Sequence, residues 1–122
     1  MGYPLRRAKD HVRKARLQPG EYQSQAVSVE EASGFVPGDA VTITYELEKA
    51  GNKWSFRETF MCQLHNPRTA AFVEYLENNG VDSQDLNDFV GCREKVQLLK
   101  EDKGERGVFL NIVAREFMGR AE

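Results

Sequence analysis

The chain has 122 residues, 40% of them hydrophobic and 30% charged, with two cysteines and a formal net charge of −2. That is one globular domain with enough apolar content for a single core. No apolar run approaches the roughly 20 residues of a membrane-spanning helix, and no low-complexity tract marks a disordered chain, so a soluble protein without membrane partners is expected.

The N-terminal stretch MGYPLRRAKDHVRKARLQPGEY contains no apolar segment of the roughly 7 to 15 residues that an export signal needs, and a cytoplasmic location is expected. Arg6, Arg7, Lys9, Arg13, Lys14 and Arg16 face only Asp10 there, so residues 1–20 carry a net +5 and residues 21–122 are left with −7. The sequence therefore divides into a basic arm, 1–19, and an acidic domain, 20–122. Such an arm attracts a polyanion by counterion release. It reads equally as a frayed terminus or a short surface helix, with Leu5, Ala8 and Val12 as a weak apolar stripe.

Pro19-Gly20 closes the arm, and Glu21 to Glu31, rich in Val, Tyr, Ser and Gln, suits a first strand. After the turn-rich ASGFVPGD, Val41, Ile43, Tyr45 and Leu47 alternate with Thr42, Thr44, Glu46 and Glu48, the mark of a half-buried second strand. Gly51-Asn52 then offers a hairpin turn into a third strand, where Trp54, Phe56 and Phe60 share one parity. Glu58 falls on that aromatic parity, so a bulge or an exposed strand end is expected there.

Beyond it the period changes. Asn66-Pro67 supplies a cap and a first-turn proline for a helix that presents Ala71, Phe72, Tyr75 and Leu76 and stops at Gly80. Residues 81–90 form a connecting turn or helical stub, with Asp82, Asp85 and Asp88 outward and Leu86 and Phe89 inward. A fourth strand follows Gly91, with Arg93, Lys95 and Gln97 opposite Cys92, Glu94, Val96 and Leu98. Residues 101–107 make a solvated loop. The fifth strand, 108–117, alternates Leu110, Ile112 and Ala114 against Asn111, Val113 and Arg115.

Three strands, one helix and two strands is the order of an OB-fold, a five-stranded Greek-key β-barrel with its helix between strands 3 and 4. A split α+β sheet covered by one helix is the competing arrangement. The segments LQPGEYQSQAVSVEE, WSFRETF, NPRTAAFVEYLENNGV, FVGCREKVQLLK and FLNIVAREF resemble the pattern of small OB-fold proteins similar to bacterial and phage single-stranded-DNA-binding proteins. The resemblance runs over about residues 17–120 and rests on structural motifs. It departs from the family in its acidic body and in lacking a Gly-rich, acidic-tipped tail. The resemblance implies a five-stranded Greek-key barrel and single-stranded DNA as the ligand.

Binding a single strand requires cations for phosphates and rings on which bases stack. The candidate contacts are Arg6, Arg7, Arg13, Lys14 and Arg16 in the arm, Tyr22 and Trp54 as rings, and Arg57, Arg93, Lys95 and Arg115 on the strands. Trp54, beside the hairpin turn, is the first candidate for an exposed platform. Each ring reads also as core, and each strand cation as a cross-strand partner of an acid such as Glu46 or Glu48.

Cys62 and Cys92 form no Cys-x-x-Cys pair, so two reduced, buried thiols are expected. Cys62-x-x-His65 with Cys92 lacks a fourth ligand and the compact spacing of a zinc site. The Asp82, Asp85, Asp88 series sits where acids cap turns. With no nucleophile elbow, phosphate loop or dinucleotide fingerprint, no enzyme, cofactor or metal is expected. Two functions remain: a module for single-stranded nucleic acid, DNA before RNA, and a protein-interaction or assembly module that offers an edge strand or an apolar face to a partner. Unpaired edges also allow a homo-oligomer.

Overall fold

The computed structural model describes residues 16–36, 38–62 and 66–120. Five strands, β1 (Gly20–Glu31), β2 (Ala40–Lys49), β3 (Asn52–Met61), β4 (Cys92–Asp102) and β5 (Val108–Arg120), form one antiparallel sheet in the order β3-β2-β1-β4-β5. A single helix, α1 (Pro67–Asn78), lies between β3 and β4 among the described residues, followed by a 3-10 turn at Leu86–Phe89. The chain is thus mainly β with one helix in the expected place. The sheet does not close into the expected barrel: β3 and β5 are its two edges, and no ladder joins them among the described residues.

Alternation decides which face of the sheet is buried. Tyr22, Ile43, Tyr45, Leu47, Phe60, Val96 and Leu98 all point to the inner face and are nearly inaccessible. α1 lays Phe72 and Leu76 on that face, with the Phe72 ring stacked on Phe60 at 4.2 Å and edge-on to Phe89 at 5.6 Å. The helix starts where the sequence signals it: the Asn66 side chain accepts from Thr69 N at 3.0 Å, with Pro67 in the first turn. It ends at Gly80 in the left-handed conformation, and Val81 N donates to Leu76 O at 2.9 Å.

The β2–β3 turn sits one residue earlier than expected. Lys49 pairs with Asn52, so the two-residue loop is Ala50-Gly51, both with positive φ (52° and 81°). Right-handed strand twist favours this turn, and Gly51 takes the position where only glycine is unstrained.

Three register shifts matter more for function. Val27 in β1 and Val113 and Met118 in β5 are each skipped by the ladder, and all three are exposed. An unpaired residue reverses the parity of everything after it. Past Val113, β5 therefore turns Arg115 and Phe117 inward instead of Ala114.

Candidate nucleic-acid interface

The inner face carries a charged cluster. Glu58 keeps its inward parity without any bulge in β3, and its carboxylate is buried. Its Oε1 accepts from the Tyr45 hydroxyl at 2.8 Å and from the Arg115 guanidinium, and its Oε2 accepts from Arg68 Nη2 at 2.9 Å. Glu94, 1% exposed, accepts from Arg115 Nη1 through both oxygens at 3.0 Å. Two carboxylates thus meet two guanidiniums, the balance that makes buried charge tolerable. Burial pushes the Tyr45 hydroxyl well above the usual phenol range. Burial alone would lower the Arg115 pKa, but Tyr45, Glu58 and Glu94 around it outweigh that and hold it raised.

This cluster corrects two expected contacts. Arg115 is an internal ion-pair partner, with 13% of its side chain exposed, and is not placed to meet a phosphate. Tyr22 is core: its hydroxyl donates to Gln18 O at 2.5 Å and its ring meets Trp54 edge-on at 5.5 Å. Trp54, expected as an exposed platform, is half-buried on the same inner face and packs against the core. Phe56 does the same.

The outer face is read from the ladder. Lys53, Glu48, Gln23, Lys95 and Glu116 lie in one row across the five strands; Ser55, Glu46, Gln25 and Arg93 form the next. Several of its cations serve as cross-strand partners: Lys53 with Glu46 at 3.4 Å, Arg57 with Glu30 at 3.2 Å, and Lys95 with Glu21 at 3.5 Å. All are exposed pairs, each worth about 0–1 kcal/mol, so a stronger anion displaces the acid at little cost. Arg93, Lys95 and Lys53 share a cleft of about 430 Å³ with Gln23 and Gln25, walled by Glu46 and Glu48.

Further along β4 the outward parity runs through Gln97 and Leu99 to Glu101, which pairs with Phe109. Directly opposed residues share a face. The Phe109 ring, 48% exposed, therefore shares the outward parity of Arg93 and Lys95, farther along the β4–β5 hairpin and beside Glu101. Sequence reading missed it, although it shares its parity with Asn111 on the solvent side. Phe35, the other exposed phenylalanine, sits in the β1–β2 loop between Glu30, Glu31 and Asp39, an anion-repelling setting.

No family model, curated protein or solved structure matches this chain.

Of the other candidate contacts, Arg16 is exposed just before β1, while Arg6, Arg7, Arg13 and Lys14 lie outside the described residues. Cys92 is buried, which pushes its thiol up, whereas Cys62 is exposed, contrary to expectation; His65 lies outside the described residues. The aspartates at 82, 85 and 88 accept from Gln84 N, Asn87 N and Asp82 N at 2.9, 3.1 and 2.9 Å. The Asp82 amide, then Arg120, holds the Asp88 carboxyl below its ordinary range. Among the described residues no group of three His, Cys, Asp or Glu gathers as metal ligands, and no helix is long and apolar enough to cross a membrane.

Proposed function

We propose that the chain binds single-stranded nucleic acid along the outer face of β4 and β5, on an OB-fold left open between β3 and β5. The spatial order 4-1-2-3 of the first four strands is that of a Greek key, and a partly open five-stranded barrel is within the OB pattern. The observation that carries the reading is the half-exposed Phe109 ring at the outward parity of the strands that hold Arg93 and Lys95. Those two cations and Lys53 take phosphates, Gln23 and Gln25 offer amides, and Phe109 stacks a base. The arm, residues 1–19, leads directly into β1 and adds attraction without sequence preference.

Fluorescence anisotropy of the intact chain with labelled oligo-dT and a matched duplex, at low and moderate salt, tests this. Salt-sensitive binding that prefers the single strand supports it, and absence of binding at low salt contradicts it. The assembly reading has one observation in its favour: Val108, Val113 and Met118 are exposed along an edge strand. Salt-insensitive self-association in sedimentation velocity would support that reading instead.

A further inference from the structure

Neighbouring strands all run antiparallel, so β3 and β5, the two open edges, point the same way. A strand laid between them in the opposite direction would complete an alternating sheet and satisfy backbone donors and acceptors on both sides. The seam between them is an open cleft of about 560 Å³. Phe56, Ile112 and Val113 line it as apolar surface, and Glu58, paired with Arg115, forms part of its wall. Arg68 already plays part of a missing strand, donating Nη1 to Thr59 O at 2.7 Å, and Thr69 Oγ1 donates to Met61 O at 2.6 Å. The edge is thus covered at the α1 end, and the stretch of β3 around Arg57 remains beyond those two contacts.

The rim decides the occupant. Arg57, Arg68 and Lys103 surround the opening; Arg57 pairs with Glu30 at 3.2 Å and Lys103 with Glu101 at 3.0 Å in exposed, exchangeable pairs, while the half-exposed Arg68 reaches Glu58. The chain's own arm, six cations to one acid, has the wrong sign to fill it. We infer that the β3–β5 seam receives an extended peptide segment of a partner protein, alternating apolar and acidic residues, added as a sixth strand. Apolar side chains meet Phe56, Ile112 and Val113, and acidic ones face Arg57, Arg68 and Lys103. The seam adjoins the outer face of β4–β5 at Glu101 and Asn111 but is a different site from the Arg93–Lys95 cleft, and the inference does not rest on nucleic-acid binding.

The test is selection of phage-displayed random dodecapeptides on the intact chain, followed by amide NMR of the protein with the enriched peptide. Expected are sequences alternating apolar residues with Asp or Glu and free of central proline. Expected also are shifts and slowed hydrogen exchange at residues 55–59 and 111–115, and affinity reduced about tenfold by the exposed pair Arg57→Glu and Lys103→Glu. The inference is overturned by an absence of enriched peptides or by shifts confined to other strands.

Discussion

The two faces of one sheet use the same ion-pair chemistry to opposite ends. On the inner face, Glu58, Glu94, Arg115 and Arg68 are locked together around the Tyr45 hydroxyl. On the outer face, Lys53–Glu46, Arg57–Glu30 and Lys95–Glu21 are solvated and exchangeable. Water makes the difference. Removing one partner inside leaves a charge with neither solvent nor counter-ion, whereas removing one outside leaves a charge that water stabilises. The inner cluster therefore belongs to stability, and the outer cations are free to serve the proposed nucleic-acid binding.

Arg115→Met should have the largest effect, leaving Glu94 and part of Glu58 unpaired and costing about 3–5 kcal/mol of stability in urea denaturation. A loss below about 1 kcal/mol would erase the contrast between the faces. Phe109→Ala should lower oligo-dT affinity by roughly 1–3 kcal/mol with an unchanged urea midpoint, separating binding from folding. Tyr45→Phe, which removes the 2.8 Å hydrogen bond to Glu58, should cost about 1–2 kcal/mol of stability and leave affinity unaltered. Lys95→Ala should change stability by less than about 0.5 kcal/mol while reducing the slope of log affinity against log salt by about 1.

How far the sequence reveals this contrast depends on what interrupts alternation. Parity identifies the buried set of β2 and β4 because their own chains have no unpaired residue. The helix was legible because Asn66-Pro67 and Gly80 act locally. Glu58 was visible as an acid on an aromatic parity, and Glu94 shares its parity with Cys92, Val96 and Leu98. What was not legible is that one arginine answers both acids: the unpaired Val113 reverses β5, and nothing within VFLNIVAREF marks where the ladder slips. The same slip removed Arg115 from the candidate contacts. Tyr22 and Trp54 were misplaced because a ring beside a turn reads the same whether it covers the core or faces solvent. Phe109 was overlooked because β4 and β5 continue as a hairpin past Gly20, beyond β1, where apolar side chains lose their cover.

Chemical-shift mapping of the intact chain with oligo-dT at low salt tests the division between the faces most directly. The account predicts saturable shifts at Arg93, Lys95 and Phe109, with Tyr45, Glu58, Glu94 and Arg115 unmoved. Shifts centred on the inner cluster, or none on the outer face of β4 and β5, would contradict it.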